Sequence, residues 1–452
     1  MNKLTISGFG PIKEVELEMK DICAFIGPQA SGKSTIAKLL YFFLFIKEDL
    51  MQFAAEAMTA NISKNAPSFN LIDIKKRLRT RFVQLFGTTK HMKEFNVSFI
   101  YKDGYEIGLS LKEGYVQVQF SPAFEKDLVL IIERVNEHVS SKSGTGIHFV
   151  SPDEAVLIQA ADRKFVQEIR QRLNDLAGTD DSSVIYVPAS RSLLATLSDY
   201  IYRLMSDSYG MLPDSTLDYS VKSFIERITQ LKKMFSQSID EIIRDKKKFS
   251  ETGMEINTVG LDHVKYLITK ILRGEYRYDR DEERLYYSDT EYVKLSLSSS
   301  GQQEAVWILQ LIFSLMLNNT RATLVIEEPE AHLFPEAQMY MVWLMALFAN
   351  QEGNRLIVTT HSPYILTSLN NLLYAEQVGK VAERESVEKI IPSSYWLDFD
   401  RLSVNLIGEG EISSILDRSI KQIKAEMIDS VSGILNEQYE QLLDLDTTEE
   451  EA

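Results

Sequence analysis

The chain opens on two short runs in which apolar and polar positions alternate. Leu4 and Ile6, then Ile12, Val15, Leu17 and Met19, mark one face of residues 2–7 and 12–19, with Gly8-Phe9-Gly10-Pro11 between them. This pattern predicts an antiparallel hairpin. Ile22 to Ile26 is apolar without alternation, which predicts a strand covered on both faces. Ile36, Leu39, Leu40, Phe43 and Leu44 then recur at helical spacing. Residues 94–120 read as a meander turning at Asp103-Gly104 and Glu113-Gly114, and Val184 to Val187, ended by Pro188, as a further buried strand. From about 195 to 272 the pattern becomes helical and more charged, with Phe224, Ile228, Leu231, Met234 and Phe235 in one stripe. It lacks sustained heptads, so a helical insertion is expected and not a coiled-coil arm. A strand pair near 275–297, a helix over 302–318, a strand Thr323 to Ile326, a helix over 336–349 and a strand Arg355 to Thr359 follow. Such alternation implies a mostly parallel α/β sheet flanked by helices. The last forty residues read as helical and end acidic, through Glu437, Glu440, Asp444, Asp446 and Glu449 to Glu451.

Composition narrows the class. At 452 residues, 44% apolar and 25% charged, the chain can bury a sizeable core, and two or three units of about 150 residues are expected. Acids outnumber bases 65 to 49, a net charge of −16, which argues against a whole-surface nucleic-acid binder but leaves room for a local basic strip. The single cysteine allows no intramolecular disulfide and suits a reducing compartment. The longest apolar run, Leu39 to Ile46, is far shorter than the ~20 residues a bilayer demands. Lys13, Glu14, Glu16, Glu18 and Lys20 are foreign to a secretory signal. An acidic, soluble, cytoplasmic protein that does not engage a membrane is expected.

The candidate chemistry begins at Gly27-Pro28-Gln29-Ala30-Ser31-Gly32-Lys33-Ser34, followed by Thr35. It fits G-x-x-x-x-G-K-[ST] without a mismatch, between a predicted strand and a predicted helix. Glycines permit a tight backbone whose N–H groups face phosphate oxygens, and the helix N-terminus adds a positive dipole end. Lys33 is suited to the β and γ phosphates, and the Ser34 hydroxyl to Mg²⁺. Downstream, Thr323 to Ile326 runs into Glu327-Glu328-Pro329-Glu330-Ala331-His332-Leu333. Carboxylates at the C-terminal end of a buried parallel strand stand where α/β sheets place ligands. Glu327 is assigned to Mg²⁺, through water, and Glu328 to the attacking water. His361, after the strand at 355–359, is placed to bond the γ-phosphate or that water. Ser298-Ser299-Ser300-Gly301-Gln302, ahead of an apolar helix, supplies an N-cap and a second anion-accepting terminus.

In this order along the chain, these segments resemble an ABC-type ATPase head of the SMC and RecF-like class, and most closely the compact ATPases of the overcoming-lysogenisation-defect (OLD) type. Glu327-Glu328-Pro329-Glu330-Ala331-His332-Leu333-Phe334-Pro335 is similar to that group's E-E-P-E-x-H-L-x-P. Ser299 and Gly301 match the signature residues that touch γ-phosphate, and His361 matches the switch histidine. The match is close over about 1–50 and 290–370 and loose elsewhere. It implies a P-loop NTPase fold: a mostly parallel sheet flanked by helices, an antiparallel N-terminal β lobe and a helical insertion. The expected units are 1–194 and 275–400 as two parts of the ATPase head, 195–274 as the insertion, and 401–452 as a C-terminal helical segment with an acidic tail. It further implies ATP and Mg²⁺, with ATP sandwiched between heads of a homodimer or higher even oligomer, because one subunit's signature completes its partner's site.

Several positions depart from the family pattern. Gln29-Ala30 replace the usual Asn-Gly, Ser298 stands where leucine is usual, Phe334 where many transporters carry an aspartate, and Glu327 where aspartate is commoner. The sequence does not fix the position of a Q-loop glutamine; Val187-Pro188-Ala189-Ser190-Arg191-Ser192 is the candidate segment near the site, with Arg191 its notable residue. OLD nucleases carry a C-terminal nuclease domain for which the residues after His361 leave no room, so Asp444 and Asp446 read as solvated tail and any cutting falls to a separate effector. By analogy the expected setting is antiphage defence or DNA repair. DNA or RNA contact would fall on Lys75-Lys76-Arg77-Leu78-Arg79-Thr80-Arg81 and on Arg244 with Lys246 to Lys248, and solvated helix faces are the competing explanation. The alternative function is an ATP-locked scaffold restraining a partner without nucleic acid. A transporter ATPase is disfavoured by the Glu-Glu pair and the N-terminal hairpin.

Overall fold

The computed structural model describes residues 2–60, 69–89, 91–143, 152–189, 191–195, 218–250, 258–280, 282–424 and 430–447. Parts of the expected insertion (196–217 and 251–257), Ser190 and the acidic end Glu449 to Glu451 lie outside the described residues. The hairpin forms as read, from β1 (Lys3–Phe9) and β2 (Ile12–Glu18), with Leu4 facing Leu17 and Ile6 facing Val15. The meander β4 (Asn96–Lys102), β5 (Tyr105–Lys112) and β6 (Tyr115–Phe120) continues it into one antiparallel five-stranded sheet, ordered β2-β1-β4-β5-β6.

The second sheet holds the chemistry. It runs β14-β13-β3-β12-β11-β7, where β3 is Ile22–Ile26, β7 Ser183–Val187, β11 Ala322–Glu327, β12 Arg355–Thr360, β13 Leu402–Gly408 and β14 Glu411–Ser414. All neighbours are parallel except β13 and β14. Because strand side chains alternate in direction, the apolar runs feed two cores. Ala24, Ile326 and Val358 face one cluster, while Phe25, Val325 and Ile357 face the other.

The second cluster is shared with α1 (Lys33–Ala60), α2 (Leu71–Phe86), α3 (Pro122–Ser143), α4 (Pro152–Ala177) and the five-stranded sheet. The first is covered by α5 (Tyr219–Lys232), α6 (Ile239–Ser250), α7 (Thr258–Leu272), α8 (Ser300–Leu317), α9 (Pro335–Ala349) and α10 (Pro363–Gly379). The stripe Phe224, Ile228 and Phe235 is buried in that cluster, with Leu231 and Met234 packed on it. The described insertion helices therefore cap the core and do not project from it. Between α7 and α8 the expected strand pair is a three-stranded sheet, β8 (Glu275–Asp279), β9 (Glu282–Tyr286) and β10 (Tyr292–Lys294).

One reading is corrected. The segment 401–452 is not helical throughout: residues 402–417 and 422–423 include strands, and β13 joins the central sheet beside β3. Leu402, Val404 and Leu406 carry the period of two that a strand requires, and helix is confined to Ser430–Thr447. Among the described residues no helix is long and apolar enough to cross a membrane.

Candidate functional site

The phosphate loop is wedged between the hairpin and β13. A Cβ on Gly27 would stand 2.1 Å from the Ile407 carbonyl oxygen, and one on Gly32, whose φ is +106°, would stand 2.3 Å from Ile12 Cδ1. Only glycine lets the chain pass at both points. α1 then starts with the Ile36 N–H donating to the Gly32 oxygen at 3.0 Å, leaving the N–H groups of its first turn without helical acceptors. Pro28, Gln29, Ala30 and Ser34 are exposed, Ser31 and Thr35 half-buried, and the buried Ser31 Oγ has no partner. Lys33 is buried under the loop, its Nζ donating to the Gly27 and Pro28 carbonyls at 2.8 and 2.7 Å. Burial lowers its pKa, against the pull of Glu328 and Glu330.

The distal groups converge on that lysine. His361 Nδ1 is 3.5 Å from Lys33 Nζ, and His361 Nε2 is 3.4 Å from Glu328 Oε1, an arrangement served by the tautomer protonated at Nε2. Glu328 follows β11 with φ +44°, a left-handed conformation that swings its half-exposed carboxylate off the strand line while its N–H bonds the Thr359 oxygen at 2.9 Å. A non-glycine residue in this region signals local strain held in place by its surroundings. Glu330, overlooked in the sequence as a functional group, supplies part of that hold. Its Oε1 accepts from Thr360 Oγ1 and from the His361 N–H, both at 2.7 Å, and burial raises its pKa.

Glu327 points into the interior and is only 6% exposed. Its Oε2 accepts the Ala189 N–H at 3.3 Å, whereas its Oε1 is buried without a partner. An unmatched carboxylate oxygen is costly in the interior, and a divalent cation or its water would satisfy it. The residues fit Mg²⁺: Glu327 and the Ser34 hydroxyl are oxygen donors. Among the described residues no group of three or more His, Cys, Asp or Glu could hold a metal, so phosphate oxygens and water would complete the shell, as is usual for this ion. Burial, with Glu327 beside it, holds the Tyr186 phenol well above its ordinary range.

Arg191 lies directly beneath. Wholly buried, it donates to the main-chain oxygens of Pro188, Glu327 and Glu328 at 2.7, 2.6 and 2.9 Å and pairs with Glu304 of α8. Burial lowers its pKa, and Glu304 and the three site carboxylates push it back up. A signal for Glu304 was present in the sequence: it is the single acid among the apolar residues of α8, and such a group demands a buried cation.

Ser299 and Gly301 are not brought to the phosphate loop of their own chain. Ser299 is the exposed N-cap of α8, joined to Gln302 in a reciprocal capping box, and Gln302 donates onward to the Leu272 oxygen at 2.7 Å. A Cβ on Gly301 would stand 2.5 Å from the His332 carbonyl oxygen. Both line an open cleft of about 420 Å³ with Lys270, Arg273, His332 and Phe334. Leu297 and Phe334 beside it are 74% and 73% exposed.

The basic runs mostly serve the fold. Lys75 pairs with Glu125 at 3.2 Å, Arg77 with Asp49 and Glu56 at 3.0 and 2.8 Å, and Arg81 with Asp49 at 2.8 Å, stitching α2 to its neighbours around the buried Asp49. Lys246 donates to Asn318 at 3.0 Å, and Lys248 pairs with Asp245 at 3.7 Å.

Comparison with known proteins gives one family match. A family model described as an AAA ATPase domain matches residues 1–366. No curated protein matches the chain. Similar solved structures include an SMC head bound to the C-winged helix domain of ScpA, at 12% identity and a TM-score of 0.40, covering 93% of this chain and 98% of that one. The SMC head domain from Thermotoga maritima matches at 12% identity and a TM-score of 0.33, covering 91% and 97%. The recombination mediator protein RecF of the RecFOR pathway matches at 10% and 0.32, again covering 91% and 97%.

Proposed function

The chain belongs to the AAA ATPase domain family, and from that premise we propose that it binds ATP with Mg²⁺ at residues 27–35 and hydrolyses it to ADP and phosphate, closing as a head-to-tail pair. The meeting of sequence-distant elements at His361, with Lys33 Nζ 3.5 Å from its Nδ1 and Glu328 Oε1 3.4 Å from its Nε2, carries the reading. Lys33 and the N–H groups of the loop bind the triphosphate, with the first turn of α1 behind them. Ser34 and Glu327 hold the metal, whose chemistry when bound is to neutralise charge on the phosphate oxygens. Glu328 orients the water and accepts its proton. His361, fixed through its main chain by Glu330, donates from Nε2 toward developing charge.

Ser299 and Gly301 serve the partner's nucleotide. The exposed α8 tip and the apolar pair Leu297 and Phe334 support this, since a closed pair would cover them. By analogy with compact ATPases of similar sequence, the setting is cytoplasmic, with a separate effector in antiphage defence or DNA repair. The OLD-like resemblance likewise rests on the phrase at 327–335. An ATP-locked scaffold is favoured over a nucleic-acid machine by one observation: Lys75, Arg77 and Arg81 are already paired within the chain.

The test uses Glu328→Gln. Turnover should fall by roughly 10²–10⁴-fold while ATP affinity is kept, and light scattering with ATP and Mg²⁺ should give twice the chain mass. Turnover at the wild-type rate refutes the assignment.

A further inference from the structure

We propose that Arg191 is a positioning residue for hydrolysis, which through Glu304 ties the carboxylate pair to the helix whose tip carries Ser299. It rests on the reading of Glu328 as the catalytic carboxylate. The geometry is unusual for a structural ion pair. Arg191 spends its guanidinium on main chain: Nη1 on the oxygens of Pro188 and Glu327, Nη2 on the oxygen of Glu328, and Nε on the Glu304 oxygen at 3.1 Å. Glu304 answers with both carboxylate oxygens, accepting the N–H of Arg191 and of Ser192 at 2.9 Å each. Arg191 is fully buried and Glu304 nearly so, so neither bond is diluted by water.

The consequence is mechanical. Two of the carbonyls that Arg191 holds, those of Glu327 and Glu328, belong to the peptides flanking the left-handed turn at Glu328, so they set the direction of that carboxylate. Ala189, close to Arg191 in the chain, also presents its N–H to Glu327. At the other end, Glu304 lies in α8 little more than a turn from Ser299, and Gly301 of the same tip packs against the His332 oxygen in the loop that follows Glu328. Helix tip, arginine segment and carboxylate loop are thus joined at two points. A shift of the tip is carried to the backbone of Glu328 through a planar group that a lysine cannot reproduce, because a point charge does not span several fixed acceptors.

The experiment compares Arg191→Lys, Glu304→Gln, the double variant and Glu328→Gln in the full chain. It measures kcat and KM for ATP and the affinity for a fluorescent ATP analogue. Arg191→Lys and Glu304→Gln should each lower kcat at least about ten-fold, with KM and affinity within about two-fold of wild type, because the lost interaction acts on the reacting geometry and not on binding. The double variant should lose no more than the worse single, since both break one linkage. A kcat close to wild type in either single variant, or losses that multiply in the double, overturns the proposal. Should Arg191→Lys fail to fold, the isosteric Glu304→Gln decides alone by the same split between kcat and KM. If Glu328→Gln is slow and the other two are not, only this inference falls. If Glu328→Gln itself turns over normally, the functional reading falls first.

Discussion

Glu48 sits within α1 with its carboxylate accepting the Val184 N–H, and burial raises its pKa from 4.5 to about 7, against the pull of that bond and of Arg227, Lys47 and Arg170. A folded-state pKa above the unfolded one means the folded chain holds the extra proton between those values. Stability is therefore greatest below about pH 4.5 for this group and falls as pH rises toward 7, by roughly 3 kcal/mol at about 1.4 kcal/mol per unit. Glu48→Gln should remove that slope and stabilise the chain at pH 8, as denaturant titrations at pH 5 and 8 would read. At the same scale, Lys33→Ala should weaken ATP binding roughly 10- to 100-fold by removing a charge-assisted contact, measured by titration with a fluorescent analogue. Lys33, Glu327, Glu328 and His361 could be singled out as candidates in the sequence, because each lies at or beyond the end of a strand in a segment rich in phosphate-, metal- or proton-binding side chains. Glu330 was not, because its role depends on burial against β12, which no local pattern records.

At the scale of elements, the phosphate loop depends on parts of the chain remote from it. Gly27 needs the close approach of β13, and Gly32 that of the hairpin. Gly27→Ala should therefore cost about 1–3 kcal/mol in a denaturant melt and abolish nucleotide binding, although the change is one methyl group. The hairpin, the meander and the strands before each chemical segment were read correctly from their periods. β13 was lost among a helical reading because its alternation is short and is followed by turns. α2 entered the reading only as a solvated helix face competing with nucleic-acid contact; Ile74, Leu78 and Phe82 recur at helical spacing, and Asp49 and Glu125 engage Lys75, Arg77 and Arg81 within the fold.

For the whole molecule the deciding feature is that α8 presents its tip outward, in a cleft apart from its own phosphate loop. Ser299→Arg should leave ATP binding by one chain intact, keep the mass at a single chain with ATP and Mg²⁺, and depress turnover, all readable by light scattering and a phosphate assay. Pairing at wild-type affinity would show that the tip is not part of the interface. The net charge of −16 opposes association at a distance, so pairing should tighten as salt rises to screen it.

The sequence by itself determined the parallel strand core, the phosphate loop with its flanking strand and helix, and the carboxylates and histidine that follow two further strands. Those features are local, because period, glycine spacing and residue chemistry are written in consecutive positions. Only the tertiary structure decided which basic residues are paired within the chain, which acids are buried, and that Arg191 bonds both the main chain around Glu328 and Glu304 of α8. These depend on groups far apart in the chain meeting where water is excluded, and the energy of a charge is set by that environment more than by its neighbours in sequence.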